Sequence, residues 1–388
     1  MRRGVALIAV LLAVSSCGAR SPAVGSHGSN AATQARTTAS GARANPPYTT
    51  SGARTHPLPT PNTTGLSCTL PVVLGGAYDR SSQTYAPSRG GFVRFPAGVV
   101  TDDPGGGMQP AEASSGRTST VARPTLHGFG GLSYDSAAKR WIPTSTALVS
   151  PDGSEYAYPE FLSASSINGP TAIHVVTVAT GSDRVVYSRG ATDVPTAFRA
   201  EGIYLVTGRW EALSVGLRLL DPRSGSVRVL AITGGWSVVS GGAAWGIDAD
   251  LGGIGLDPHR IDRLDLTTGA VTTWYEVPSD RLVEPMGLDF DGAPIIVVWT
   301  SGTSDVPAIE HVYRVLSRTQ AVHLFAAGIY EAMNDFTADS HGLWFASAYI
   351  YDGLWYGGLW LYTDGVGLRL VAESNNAMRI ERVAGPCT

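Results

Sequence analysis

Ala147-Leu148-Val149-Ser150-Pro151-Asp152-Gly153-Ser154-Glu155-Tyr156-Ala157-Tyr158 is the stretch that decides the fold. It predicts a strand, a tight Asp-Gly turn and a second, alternating strand, which together are typical of a β-hairpin. A turn glycine followed by an apolar or aromatic strand recurs at Gly202, Gly242, Gly292 and Gly342, at successive intervals of 49, 40, 50 and 50 residues. A period of this size, built from short paired strands, predicts the blades of a β-propeller.

A second series of turns keeps the same phase. Each hairpin is followed by a strand, another turn and a further strand, and these later turns fall at Thr180-Gly181, Ser224-Gly225, Thr268-Gly269, Thr319-Gln320 and Val366-Gly367. Two hairpin turns in each unit give four antiparallel strands in each unit. The pattern therefore predicts an all-β protein made of four-stranded sheets.

One of the turns resembles a known repeat. Ser150-Pro151-Asp152-Gly153, followed by Tyr156-Ala157-Tyr158, an Ile-x-Val strand and Ala179-Thr180-Gly181, is similar to the blades of TolB-type β-propellers. The resemblance covers roughly Cys68 to Thr388, with degenerate forms of the turn in the later units. It implies the fold and a propensity to bind other molecules, and it carries no catalytic residue to this chain.

Counting the units predicts six blades. The first combines a C-terminal strand with Leu70–Leu74, Gly91–Phe95 and Val99–Thr101. The others span Trp141–Arg189, Thr196–Ala231, Trp236–Val277, Val283–Ala326 and Glu331–Glu373. A Gly/Ser-rich insertion, Asp102–Arg140, ends near two short apolar pieces around Leu132–Asp135 and Arg140–Ile142. If these pieces pair with strands of their own, the count becomes seven.

The first 17 residues predict a lipoprotein signal peptide. Arg2 and Arg3 precede an apolar run, Val5–Val14, which is shorter than the ~20 residues needed to span a bilayer. Val14-Ser15-Ser16-Cys17 then resembles the bacterial lipobox, in which the cysteine is lipidated and becomes the new N-terminus. We expect an export product anchored by lipid at the extracytoplasmic face of the cell membrane. The alternative is an ordinary signal peptide that is cut nearby.

Residues 18–66 predict a disordered tether, and residues 67–388 the propeller. The tether is rich in Ser, Thr, Ala and Pro and has too few large apolar residues to form a core. Six arginines and no acidic residue precede position 67, which leaves the remainder with a net charge of −10. An acidic domain on a basic tether argues against a nucleic-acid partner. The tether would lie against anionic lipid or wall polymer, or act as a solvated spacer, and the domain is expected to be monomeric.

Cys68 and Cys387 lie at the two ends of the repeat, and in an exported protein they are expected to form a disulfide. A propeller must join its first and last blades, because an open ring would expose strand edges. We therefore predict that residues 377–383 form the inner strand of the first blade beside residues 70–74. The two Cα atoms should then lie within the disulfide limit of ~7 Å.

Catalytic motifs are missing from the sequence. It has no Gly-x-Ser-x-Gly elbow, no His-Glu-x-x-His, no Cys-x-x-Cys and no phosphate-binding glycine loop with a lysine. His174 and His323 fall within predicted strands, where packed or surface roles are expected. Enzymatic activity is therefore not predicted.

Three groups of residues are candidates for binding at the loop face, defined here as the propeller end that carries the loops between second and third strands and the connections between blades. Carboxylates near glycines suit a hard cation, so calcium is the ion considered for a speculative metal site at Asp248, Asp250 and Asp257. Solvated loop aspartates are the alternative there.

The other two groups are a carboxylate cluster and an aromatic set. The cluster contains Glu331 and Asp335, with Asp339 nearby, and a turn-capping role is the alternative for it. The aromatic residues are predicted to lie on loops, and they are Trp210, Tyr349, Tyr351, Trp355 and Tyr356. Flat aromatic faces beside charged groups suit a sugar or a peptide, whereas simple coverage of the blade ends is the alternative.

The principal hypothesis is a surface-anchored lipoprotein whose propeller binds a sugar, a peptide or an envelope protein without catalysis. One alternative is a glycan hydrolase or lyase that uses funnel carboxylates such as Asp335 or Asp339, which would have to lie ~5–10 Å apart. The other is a scaffold in an envelope complex, which would show a broad apolar patch.

Overall fold

The computed structural model of the chain describes residues 58–75, 78–79, 84–85, 88–107, 131–161, 171–189, 193–209, 212–247, 259–300, 310–327, 333–351, 354–374 and 378–388. These residues belong to one compact unit, Thr55–Thr388. Within the described ranges the unit is all-β, and its one helical element is a single 3-10 turn, Thr146–Leu148. Six antiparallel sheets form the six-bladed β-propeller that the sequence predicted.

Each sheet is one blade, and the strands are numbered β1 to β27 in chain order. Blade one contains β27 (Arg379–Val383), β1 (Thr69–Gly75), β4 (Arg89–Arg94) and β5 (Val99–Gly107). Blade two contains β8 (Glu155–Phe161), β9 (Thr171–Thr177) and β10 (Ser182–Arg189). Blade three contains β11 (Asp193–Arg199), β12 (Gly202–Arg209), β13 (Ala212–Leu220) and β14 (Val227–Ala231).

The remaining blades have four strands each. Blade four contains β15 (Gly235–Ser240), β16 (Ala243–Ile247), β17 (Arg260–Asp265) and β18 (Val271–Glu276). Blade five contains β19 (Arg281–Leu288), β20 (Pro294–Thr300), β21 (Glu310–Ser317) and β22 (Gln320–Ala327). Blade six contains β23 (Met333–Asp339), β24 (Gly342–Tyr351), β25 (Leu354–Thr363) and β26 (Gly367–Ser374). Two small hairpins pair β2 (Tyr78–Asp79) with β3 (Thr84–Tyr85) and β6 (Ser133–Asp135) with β7 (Arg140–Ile142).

Hydrophobic cores lie between neighbouring blades. Trp344 of blade six packs with Leu70 of blade one in one core, and Ile173 of blade two packs with Ile203 of blade three in another. A middle blade strand therefore has both faces covered, and the run Leu343–Ala346 is buried throughout. This two-sided burial explains why these strands are continuously apolar in sequence rather than alternating.

The predicted ring closure is confirmed. Cys68 and Cys387 form a disulfide with a Cα–Cα distance of 5.6 Å across a sequence separation of 319 residues. Strand β27 pairs antiparallel with β1, with Val383 opposite Val72. The last residue continues this pairing, because the Thr69 amide donates to the carbonyl oxygen of Thr388 over 2.8 Å. The C-terminal strand thus supplies the inner strand of blade one.

Blade two differs from the prediction at its inner position. The segment Ala147–Val149 was predicted as a strand, but the 3-10 turn occupies it and a single bridge joins Val149 to Tyr156. Within the turn the amide of Leu148 donates to the carbonyl of Ser145 over 3.0 Å, so this N–H group makes a local bond in place of a sheet bond. The following Asp-Gly turn forms as expected, with φ of 70° at Gly153.

The insertion before blade two forms no seventh blade among its described residues. Strands β6 and β7 pair with each other and fill the space between blades one and two. On one side the Tyr134 amide donates to the Ala384 carbonyl over 2.7 Å, and on the other side Arg140 Nη1 donates to the Val178 carbonyl over 2.6 Å. The hairpin of β6 and β7 therefore lies between blades one and two without forming a blade of its own, and the blade count stays at six.

The packed domain also begins earlier than the predicted boundary at residue 67. Leu58 is buried in the core between blades five and six, and Leu66 is buried between blades six and one. The Asn62 amide donates to the Leu370 carbonyl over 2.7 Å, which attaches this segment to β26. Residues 58–66, assigned to the tether from composition, thus lie along blade six.

Candidate functional site

Several residues that were predicted to bind at the loop face lie outside the described part of the chain. They are Trp210, Asp248, Asp250, Asp257 and Glu331, and the proposed lipidation residue Cys17 also lies outside it. The calcium site and the aromatic binding set stay predictions from sequence.

The hairpin of blade six carries the other aromatic residues. We predicted the segment Tyr349–Tyr356 as a loop, but its two arms continue the strands β24 and β25, with Tyr349 paired to Tyr356 and Ile350 paired to Trp355. Each of these strands is 10 residues long. The predicted aromatic positions are thus set by a regular backbone hairpin.

Asp335 and Asp339 lie at different positions along β23. Asp335 pairs with Ala346 within the strand, whereas Asp339 ends the strand at the turn on the opposite end of the blade. Four strand residues separate their Cα atoms by ~13 Å. The Asp339 side chain is buried and accepts hydrogen bonds from the amides of His341, over 2.7 Å, and Cys387, over 2.8 Å. Asp339 is therefore part of the ring closure rather than a funnel carboxylate.

A buried ionic cluster lies at the loop-face end of blades two and three. Asp193 begins β11, is fully buried, and accepts hydrogen bonds from Arg218 Nη1 at 2.7 and 2.9 Å. Its carboxylate also accepts from the hydroxyls of Tyr187, over 2.5 Å, and Thr207, over 2.9 Å. The Asp193 amide and carbonyl both bond the hydroxyl of Thr171. Both oxygens of the Asp193 carboxylate thus accept hydrogen bonds, which offset the free-energy cost of burying its charge.

The cluster joins two blades beneath the loops. Tyr187 and Thr171 belong to blade two, whereas Asp193 and Arg218 belong to blade three. Burial, followed by the hydrogen bond to Asp193, raises the pKa of Tyr187 to about 12, so its hydroxyl stays a donor at neutral pH. Sequence reasoning missed this cluster, because its members are far from any turn motif and meet only after the blades pack.

A shallow pocket of about 340 Å³ lies between blades five and six on the turn face, the end opposite the loop face. Phe290, which is 69% exposed, lies at it beside Arg314, Asp289 and Asp364. Arg314 Nε is 2.8 Å from Asp289 Oδ2, and its Nη1 is 3.1 Å from Asp364 Oδ2.

The charges of Arg314, Asp289 and Asp364 are therefore paired within the protein. Asp289 Oδ1 also accepts from the Ala293 amide over 2.7 Å, and burial raises the pKa of the neighbouring Tyr362 above its ordinary value, assisted by its hydrogen bond to Asp364. The ion pairs of Arg314 with Asp289 and Asp364 join the turns of blades five and six. The polar residues of the pocket thus connect blades five and six, and the aromatic ring of Phe290 is exposed beside them.

The described ranges contain no group of three or more His, Cys, Asp or Glu side chains arranged to hold a metal ion. They also contain no helix with the length and apolar character required to cross a membrane.

Comparison with known proteins shows similarity in structure alone. No protein-family model matches the chain, and no curated protein sequence matches it. TolB from Acinetobacter baumannii has a TM-score of 0.46 and 13% identity, over 82% of this chain and 66% of that chain. An oligogalacturonate lyase in complex with manganese has a TM-score of 0.44 and 12% identity, over 76% of this chain and 87% of that chain.

A puromycin-hydrolyzing peptidase of Mycobacterium tuberculosis has a TM-score of 0.36 and 13% identity, over 74% of this chain and 40% of that chain. The match spans slightly less than two thirds of the TolB chain. At such identities similarity concerns the fold alone. The six sheets described above are themselves the propeller that the resemblance to TolB-type repeats implied.

Proposed function

We propose that the chain is an exported lipoprotein whose propeller binds a ligand or a protein partner through the loop face, without catalysis. A lipid on Cys17 of the sequence Val14-Ser15-Ser16-Cys17 would anchor it at the extracytoplasmic face of the cell membrane. The disulfide between Cys68 and Cys387 supports export, because structural disulfides form and persist in oxidising compartments.

The observation that carries the binding proposal is the long hairpin of blade six. Its strands β24 and β25 bring the positions of Tyr349, Tyr351, Trp355 and Tyr356 together by regular pairing at one end of the ring. Aromatic residues offer a large contact area at a low cost in conformational entropy, and they dominate the energetics of many binding surfaces. A sugar or a peptide segment is the partner chemistry that such a surface suits.

The closed ring that carries the hairpin supports the same proposal. The disulfide closes the ring, and the Asp193 cluster fixes blades two and three below their loops. A binding surface that is held in place before the partner arrives loses less entropy on association. The net charge of −10 over residues 67–388 makes a nucleic-acid partner unfavourable.

A glycan hydrolase or lyase mechanism is the weaker alternative. It would use two carboxylates at ~5–10 Å. Asp339 is committed to the amides of His341 and Cys387, and it lies at the end of β23 away from Asp335. Asp339 is therefore engaged elsewhere, which weighs against its use as one half of the acid/base pair that this alternative had named.

A binding screen tests the proposal. Glycans and peptides would be tested against the purified chain by thermal shift, because a ligand that binds only the folded form raises the unfolding temperature. Replacing Trp355 and Tyr356 together by alanine is expected to weaken binding of the ligand found by about thirtyfold or more, the loss of ~2 kcal/mol typical of an aromatic anchor. Phe290→Ala, on the turn face, is the matched control and should bind normally.

Two results would contradict the loop-face assignment. One is a ligand whose binding is lost in Phe290→Ala and unchanged in the Trp355/Tyr356 variant. The other is a screen of the correctly folded chain in which no glycan, peptide or envelope extract shifts the transition. Anchoring is tested separately: Cys17→Ala should release the protein from the membrane fraction, and retention there would refute the lipid anchor.

A further inference from the structure

Two histidines face each other on neighbouring strands of blade five. His311 lies in β21 and His323 lies in β22, and His311 Nδ1 is 3.4 Å from His323 Nε2. Both side chains are accessible to solvent. We propose that His311 and His323 form a binding site for a divalent transition-metal cation, Zn²⁺, on the outer part of this blade. The site is independent of the loop face and of the function proposed for it.

The distance between the nitrogens fits the coordination geometry of zinc. Zinc binds imidazole nitrogen at ~2.0–2.1 Å and prefers a tetrahedral arrangement, so two ligating nitrogens on one ion lie about 3.3 Å apart. The observed separation of 3.4 Å between His311 Nδ1 and His323 Nε2 is close to this value. Square-planar coordination at the same bond length would need about 2.9 Å.

The surroundings of His311 favour a neutral imidazole, which is the form that binds metal. Burial is the main cause that lowers the pKa of His311, and the neighbouring His323 and Arg281 lower it further. A neutral His311 that carries its proton on Nε2 presents Nδ1 as a ligand atom.

Neighbouring rings hold the pair in position. The ring of Tyr313 meets that of His323 edge to face with centroids 5.0 Å apart, and Tyr275 of blade four lies 6.1 Å from Tyr313. Strand pairing places Tyr313 directly opposite His323. Packing of this kind orients the imidazole, as a supporting shell does around other metal sites. The described residues add no third ligand of the usual types, so water would complete the coordination.

The other described histidines are differently engaged. His174 lies between two carboxylates, with Nδ1 3.0 Å from Asp183 and Nε2 3.1 Å from Glu160. His259 Nδ1 is 2.8 Å from the carbonyl oxygen of Arg281. His174 is therefore a suitable control, since its replacement removes one imidazole and leaves the proposed pair intact.

Isothermal titration of the full chain with ZnCl₂ tests the proposal, using protein prepared without a polyhistidine tag. We expect one ion per chain in the wild type and in His174→Gln, and no binding at the same Zn²⁺ concentrations in His311→Gln or His323→Gln. Zn²⁺ should also raise the unfolding temperature of the wild type and leave that of the two variants unchanged. Mg²⁺, which prefers oxygen ligands, should give no heat at the same concentrations.

Circular dichroism and the metal-free unfolding temperature establish that each variant is folded. Binding that persists in a His311→Gln/His323→Gln double variant would overturn the proposal and would locate the ion elsewhere on the chain. Loss of binding in His174→Gln with both single variants unaffected would overturn it as well, and would move the site to blade two.

Discussion

Removal of the disulfide should reveal how much of the stability depends on ring closure. The change is Cys68→Ala together with Cys387→Ala, which cuts a covalent loop of 319 residues. In the chain-entropy description a loop of this length stabilises the folded state by about 5.7 kcal/mol at about 25 °C, because the bond removes conformations from the unfolded chain. We expect the free energy of unfolding to fall by about this amount.

Urea unfolding followed by tryptophan fluorescence measures the change. The midpoint should fall while the native spectrum stays the same, because the β27–β1 pairing and the bond from the Cys387 amide to Asp339 do not depend on sulfur. Wild-type protein in excess reductant is the matched control, and it should unfold at the midpoint of the double variant. Reductant should leave the variant itself unchanged.

The reasoning would be refuted by a double variant within ~1 kcal/mol of the wild type and a wild-type midpoint that reductant does not move. Strand pairing would then close the ring without help from the bond. A variant that loses its native spectrum altogether would show instead that closure is a condition for folding.

The remaining predictions concern single residues. Asp193→Asn should lower the free energy of unfolding by about 3–5 kcal/mol because it breaks a buried pair, whereas Asp364→Asn, with a side chain 67% exposed, should cost less than about 1 kcal/mol; equal losses in urea unfolding would refute this. Gly342→Ala should lower the unfolding temperature more than Gly365→Ala, because φ is positive at both (136° and 78°) but only at Gly342 would a Cβ meet a carbonyl oxygen of the next strand; scanning calorimetry measures both. A hydrogen bond from the Ser150 hydroxyl, and to a lesser degree one from the Ser154 amide, lowers the pKa of Asp152 from 3.8 to about 2. The stabilising contribution of the Asp152 carboxylate is therefore present above pH 3.8 and is lost as the pH falls towards 2. An NMR titration of that carboxyl with a midpoint near 3.8 would contradict this prediction.

The blade repeat was predictable because its sequence signal lies within each short hairpin. A glycine with positive φ and an adjacent apolar strand identify each hairpin without reference to the rest of the chain. The closure was also predictable, since a cyclic repeat must return to its start. Cys68 and Cys387 mark the two ends of the repeat, and the structure joins them.

The inner position of blade two shows where local chemistry misleads. Its Ser-Pro-Asp-Gly turn is the most complete in the chain, yet the preceding residues 146–148 form a 3-10 turn. The hairpin pattern predicts the turn correctly, but it does not determine how the chain enters that turn. In blade two the hairpin of β6 and β7 precedes the turn, and just after this hairpin Thr144 Oγ1 donates a hydrogen bond to the Ala157 carbonyl over 3.1 Å.

Other features depend on contacts between distant segments. Leu58 was assigned to a tether because its neighbours are polar, but one buried leucine and a few backbone bonds suffice to attach a short segment to a formed blade. The Asp193 cluster is similar, since Tyr187, Asp193 and Arg218 contact one another only because blades two and three pack together. Hydrophobic periodicity in the sequence does not predict contacts of this kind.

Asp339 shows why position on a blade decides the chemistry open to a carboxylate. The sequence placed it near Asp335 and suggested a shared site, but a strand carries successive residues away from each other along its length. At the turn end Asp339 meets the amide of Cys387, so its charge compensates a backbone donor beside the disulfide. A residue used to close the ring is not free for acid/base work at the other end. The turn end of blade six therefore takes part in closing the ring, and the hairpin of β24 and β25 lies at the opposite, loop end of the same blade.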